Sequence, residues 1–187
     1  ISEWRGAGAQ PAPGGAEPRA TRPARTGSGI VVAAGRILTS NHGIAGCNSL
    51  TLQGAASGNA RVMAQDGALD LALLSVDGST VAAARFRSGN DIALGTEVVV
   101  FGYPLQGLLA YGANVTTGIV SGLAGPQNDN RIVQHTAPVQ PGNSGAPLLD
   151  RSGAVIGVVI SKINALNGAS ELPAGGGEEQ LKQKVVK

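Results

Sequence analysis

Three side chains in this sequence could act together on an acyl group. Ser144 lies in Pro141-Gly142-Asn143-Ser144-Gly145-Ala146-Pro147. Its small neighbours let a substrate backbone approach the hydroxyl and let successive amide N–H groups point into one hollow. His42 closes the run Leu38-Thr39-Ser40-Asn41-His42, and Asp70 opens Asp70-Leu71-Ala72-Leu73-Leu74. A serine hydroxyl is a weak nucleophile at neutral pH. It needs a base to take its proton, and a third group to fix that base's tautomer and stabilise its imidazolium. His42, Asp70 and Ser144 offer those three roles. Singly, each has a plainer reading: a surface or capping histidine, a turn aspartate, a glycine-rich hairpin turn. Their joint presence is what points to acyl transfer.

Other chemistries find less support. The chain has two histidines, and the second, His135, stands too close to Ser144 along the chain to serve as a base reaching it from another element. It reads as a partly buried strand residue. Cys47 is the only cysteine, which excludes an intramolecular disulfide and a cysteine-rich metal site. It reads as a small buried hydrophobe rather than a reactive thiol. No phosphate-binding loop, metal-ligand cluster or dinucleotide fingerprint occurs, so no cofactor and no metal are expected. The formal net charge is +2. Residues 1–26 carry that excess as Arg5, Arg19, Arg22 and Arg25 against Glu3 and Glu17, leaving the body neutral. A neutral body gives no basic face for nucleic acid. No apolar run is long enough to cross a membrane as a helix.

Any such site must be held by the elements around it. The 187-residue chain suffices for one domain with a sizeable core or two half-domains sharing an interface. Only 3% of residues are aromatic and 29 are Gly, a balance that favours short strands and tight turns over long helices. Residues 29–34, 36–41, 49–54, 60–66 and 70–76 read as one set of strands, and 96–103, 114–123, 131–137, 146–150 and 154–163 as another. Two groups of about six strands predict two packed β-barrels, the first over 27–92 and the second over 93–165. His42 and Asp70 would then come from one barrel and Ser144 from the other. Residues 1–26, rich in Gly, Ala and Pro, predict a disordered or loosely held arm. Residues 166–187 predict a flexible tail. The chain opens at Ile1 without Met or an apolar leader, which reads as a processed or truncated product.

The same segments resemble a known family. Leu38-Thr39-Ser40-Asn41-His42 is similar to the "LTNxH" segment of HtrA-like (Deg) trypsin-fold serine proteases, Asp70-Leu71-Ala72-Leu73-Leu74 to their "DLALL" and Gly142-Asn143-Ser144-Gly145 to their "GNSGG". Gly27-Ser28-Gly29-Ile30-Val31 matches their glycine-rich first strand. The similarity runs over 27–165 and implies an all-β, chymotrypsin-type double β-barrel with the site in the cleft between barrels. It implies a serine endopeptidase acting on protein or peptide substrates through His42, Asp70 and Ser144. The amides of Gly142, Asn143 and Ser144 would surround the oxyanion. Pro138, Val139, Gln140 and Pro141 would line the primary pocket, and Ile160, Ser161 and Lys162 would pair with extended substrate. With no carboxylate in that pocket, small or medium aliphatic side chains are expected at the scissile bond. The resemblance also favours a periplasmic or secreted location.

Three features depart from the pattern. Ala146 replaces the second Gly of the nucleophile segment, which is costly only where φ must be positive. Gly43 replaces the usual apolar residue after the histidine. Residues 167–177 and the charged segment after them replace the family's last strand and closing helix. Without that strand the primary pocket would lack a wall, and the alternative is a catalytically inactive trypsin-fold binding module. Only a single protease domain fits the length.

Overall fold

A computed structural model describes residues 2–7, 25–78, 81–89, 91–104, 112–163 and 182–186. The first barrel comprises β1 (Ser2–Ala7), β2 (Arg25–Ala33), β3 (Arg36–Ser40), β4 (Ser49–Gly54), β5 (Gly58–Asp66) and β6 (Leu71–Val76). The second comprises β7 (Glu97–Gly102), β8 (Asn114–Gly122), β9 (Ile132–His135), β10 (Pro147–Leu149), β11 (Val155–Ile163) and β12 (Lys182–Val186). Each closes on itself, in the orders β1-β2-β3-β6-β5-β4 and β10-β11-β12-β9-β8-β7. A short helix, α1 (Asn41–Ile44), follows β3.

Alternation along the strands explains the two cores. In β6, Ala72, Leu74 and Val76 are buried while Leu71, Leu73 and Ser75 are half-buried, the period-2 pattern of a pleated strand with one inward face. Those inward residues join Val31, Ile37, Leu50 and Leu52 inside the first barrel. Val98, Val100, Val120, Val133, Leu148 and Val159 fill the second. A third cluster, with Ile30, Val155 and Val158 fully or nearly covered, lies apart from both and gathers Leu38, Leu71 and Leu149 around it. It joins residues of both barrels and resists their separation; each such aliphatic side chain contributes about 1.5–3 kcal/mol when fully buried. The connecting segment adds backbone stitches. The Ala84 amide donates to Val31 O at 2.8 Å, and the Arg87 amide donates to Val155 O at 2.9 Å.

Both chain-end expectations need correction. Ser2–Ala7 is not a loose arm: it is β1, paired with β2 and with β4, and Ser2 and Glu3 are buried. Arg25 and Thr26 begin β2. Lys182–Val186 is not a flexible tail: it is β12, inserted between β11 and β9 with Ser161 opposite Lys184 and Gln183 opposite His135. These strands supply the sixth member of each barrel. Their side chains gave no strand signal because the cause is unpaired backbone on two neighbouring strands, which any non-proline chain can satisfy. The rest of the expected arm and tail, including 167–177, lies outside the described residues.

Candidate active site

His42 sits on α1, immediately after β3, and Asp70 sits at the turn into β6. Strand pairing brings them together, because β3 and β6 are neighbours with Ser40 opposite Leu71. Asp70 holds α1 at three points. Its carbonyl accepts the Asn41 amide at 2.9 Å, its Oδ1 accepts the His42 amide at 2.7 Å, and its Oδ2 accepts the ring Nδ1–H of His42 at 2.5 Å. Asp70 adopts φ 56°, in the left-handed region that few non-glycine residues occupy and where Asp is among the better tolerated. That conformation turns both its carbonyl and its carboxylate toward α1. With Nδ1 donating to the carboxylate, Nε2 keeps its lone pair and becomes the basic nitrogen. Gln65 Nε2 also donates to Asn41 Oδ1 at 2.8 Å, and Arg25 Nη1 to His42 O at 3.2 Å, steadying the helix from β5 and β2. The His42 side chain is 51% exposed, accessible to a ligand.

Ser144 lies in the turn between β9 and β10, half-buried amid buried Gly142, Asn143, Gly145 and Ala146. The turn is pressed against the first barrel. The Ser28 amide on β2 donates to Ser144 O at 2.9 Å, and Ser28 Oγ donates to Gly142 O at 2.8 Å. Gly145 has φ 86°, and a Cβ there would stand 2.1 Å from Ser28 O and 2.4 Å from Thr39 Oγ1. Only glycine fits. Ala146 has no positive φ and is fully buried, so the departure at that position costs no backbone strain.

The amides of this turn divide into two kinds. Asn143 N–H donates to Gln140 O at 3.0 Å, Gly145 N–H to Val159 O at 2.7 Å and Ala146 N–H to Asn143 O at 2.9 Å. Among the described residues, the amides of Gly142 and Ser144 have no acceptor. Of the three amides expected around the oxyanion, that of Asn143 is bonded within the turn and those of Gly142 and Ser144 are not. Ser144 Oγ and the His42 ring share no hydrogen bond among the described residues, a common condition where no substrate is bound.

Of the expected pocket residues, Val139 is buried, while Pro138, Gln140 and Pro141 are exposed. Pro138 O accepts Thr116 Oγ1–H at 2.7 Å. On β11, β10 covers one edge only as far as Val158, and the other edge runs along β12 through Ser161 and Lys162. Ile160 is buried. His135 is more deeply placed than expected. It is 1% exposed on β9, neither ring nitrogen has a hydrogen-bond partner among the described residues, and burial lowers its pKa to about 4, an effect that the nearby Ala137 backbone opposes. Cys47 is half-buried against the first core.

Comparison with known proteins places the fold in a family. Residues 27–158 match the model of the trypsin-like peptidase domain family. The chain belongs to that family, and it is HtrA-like within it. It is 48% identical over 134 residues to the uncharacterized protein y4bJ of Sinorhizobium fredii, covering 71% of this chain and 21% of that protein. It is 34% identical over 149 residues to the serine protease Do-like HtrA of Lactobacillus helveticus, covering 73% of this chain and 36% of that one. The chain thus spans about a fifth to a third of the curated relatives it matches. Among solved structures it is similar to the Rv3671c protease from M. tuberculosis in its active form, at 26% identity and TM-score 0.74 over 99% of this chain and 74% of that one.

Proposed function

We propose that this domain is a serine endopeptidase in which Ser144 is the nucleophile, His42 the general base and acid, and Asp70 the group that orients and stabilises His42. The observation that carries the reading is the pair of hydrogen bonds that the Asp70 carboxylate accepts from the main-chain amide and the ring of His42, which fixes the imidazole with Nε2 free to take a proton. Ser144 Oγ attacks the scissile carbonyl carbon as its proton passes to Nε2. The oxyanion is stabilised by the amides of Gly142 and Ser144, which have no acceptor among the described residues. The C–N bond then breaks, His42 returns the proton to the leaving amine, and water hydrolyses the acyl-enzyme by the same route.

Substrate would enter as an extended strand along Ile160-Ser161-Lys162, whose edge away from β12 is not covered by β10. Pro138, Val139, Gln140 and Pro141 bring no carboxylate to the primary pocket. A preference for small or medium aliphatic side chains follows, and cleavage of a peptide library chiefly after Lys or Arg would contradict it. The ground for an inactive binding module was a second barrel short of its last strand, and β12 occupies that place.

Labelling with a fluorophosphonate probe tests the enzyme reading. Covalent modification at Ser144, lost in Ser144→Ala and strongly slowed in His42→Ala, is the expected result. A folded protein that takes no label refutes it.

A further inference from the structure

Ser28 connects to more of the site than any residue outside the proposed triad. It is fully buried on β2, in the first barrel, yet three of its four hydrogen bonds among the described residues reach the second. Its amide donates to Ser144 O at 2.9 Å and its hydroxyl to Gly142 O at 2.8 Å. The hydroxyl also accepts the Tyr103 amide, just beyond β7, at 2.9 Å. Its carbonyl accepts Thr39 Oγ1–H at 2.7 Å, within β3 of the same barrel. The Tyr103 amide occupies the acceptor side of the hydroxyl, which directs its one proton to Gly142 O.

Peptide planarity turns these contacts into control over the nucleophile turn. In a trans peptide the C=O and the following N–H point in opposite directions on one rigid plane. The Gly142–Asn143 plane is held at both ends, its oxygen by Ser28 Oγ and its N–H by Gln140 O. The Ser144–Gly145 plane is held likewise, its oxygen by the Ser28 amide and its N–H by Val159 O. Between them lies the Asn143–Ser144 plane, whose N–H belongs to Ser144, and before them the plane whose N–H belongs to Gly142. Gly142 has φ 99°, so nothing in its own side chain restrains this stretch. The two free amides are aimed by their clamped neighbours, and Ser28 supplies one jaw of each clamp.

We infer that Ser28 is a positioning residue for the oxyanion-binding amides, acting across the barrel interface. The inference rests on the proposed role of Ser144. Without the Ser28 hydroxyl, the Gly142–Asn143 plane keeps only its Asn143 N–H bond to Gln140 O and gains freedom to tilt, carrying the Gly142 amide away from the reacting oxygen. Ground-state peptide contacts along β11 do not involve this plane, so the loss falls on the transition state.

The test compares wild type, Ser28→Ala and the near-isosteric Ser28→Cys, each normalised to folded protein by thermal denaturation and to competent sites by burst titration. Removing one oxyanion donor outright costs about 10²–10³ in kcat, and loosening one should cost about 10–100. We expect Ser28→Ala to lower kcat by that amount with KM within about twofold. Inhibition by a peptide aldehyde, whose adduct places an oxyanion in the hollow, should weaken in parallel, and Ser28→Cys should fall between because a thiol is a weak donor. Unchanged kcat and aldehyde affinity per titrated site in either folded variant overturn the inference. So does a loss confined to KM or to the fraction of folded protein. A wild type that neither labels nor hydrolyses fails at the proposed function itself, before Ser28 is in question.

Discussion

Asp70 grips His42 twice, through the backbone amide at 2.7 Å and the ring Nδ1 at 2.5 Å. The first bond fixes where the histidine starts, and the second fixes how its ring is turned. Because the Asp70 backbone lies at φ 56°, a replacement must suit the left-handed region as well as the ring. Asn does so on the backbone but presents an amide nitrogen that can reverse the ring's tautomer. Asp70→Asn is therefore expected to fold with a melting temperature near wild type and to lose about 10⁴ in kcat. Steady-state kinetics beside a melting curve checks this, and a loss below about tenfold would count against Asp70.

Ser144 makes no side-chain hydrogen bond among the described residues, so its hydroxyl contributes little to the fold. Ser144→Ala should leave stability within about 0.5 kcal/mol while removing hydrolysis to a small residue left by binding and the oxyanion donors. Denaturant unfolding and peptide turnover, measured on one preparation, separate the two effects.

Adjacent small residues in the nucleophile turn should respond in opposite degrees. Gly145→Ala places a methyl 2.1 Å from Ser28 O at φ 86°, forcing the barrels apart or the turn out of place; a loss of at least about 3 kcal/mol is expected. Ala146→Gly, at ordinary φ but fully buried, should cost less, about 1–2 kcal/mol, from the freer unfolded chain together with the lost methyl contact. Chemical denaturation of the pair measures the contrast. Equal effects would show that this docking is not tight.

His135 gives the fold a pH dependence with a defined sign. Its pKa is lowered by burial from 6.5 to about 4, so the unfolded chain binds the proton more readily than the folded one. Stability is full above about pH 6.5 and falls as pH drops toward 4, by on the order of 3 kcal/mol from this group. His135→Leu should flatten that decline. Unfolding midpoints at pH 7 and pH 4.5 for the two proteins provide the test, and parallel declines would exclude His135 as the source.

How far the sequence revealed this arrangement depended on what each feature rests on. His42 and Asp70 could be read because the site needs particular side chains at places a strand pattern makes visible. The central strands could be read from alternation such as Leu71–Val76. β1 and β12 could not: SEWRGA and KQKVV enter their sheets through main-chain pairing on both sides, to which side-chain pattern is nearly blind. Ser28 stood in sequence as one residue of a glycine-rich strand. Its reach to Gly142 and Tyr103 is a product of tertiary contact alone. His135 was read as a partly buried strand residue, and its full burial on β9 is a matter of tertiary packing that the sequence does not display.

The closing strands also bear on the order of events in folding. β1 through β6 are contiguous in sequence, and so are β7 through β12. Each barrel can thus complete its hydrogen-bonded ring without waiting for the other. The bonds from Ser28 to Gly142 and Ser144 cross between the two rings, so catalytic competence is expected as a later kinetic phase than β-structure, which stopped-flow refolding followed by circular dichroism and by probe labelling would resolve. During synthesis the second ring cannot close until Lys182–Val186 has emerged from the ribosome. A chain still being made would then hold His42 and Asp70 together on the first barrel before the turn that carries Ser144 is backed by a closed second one.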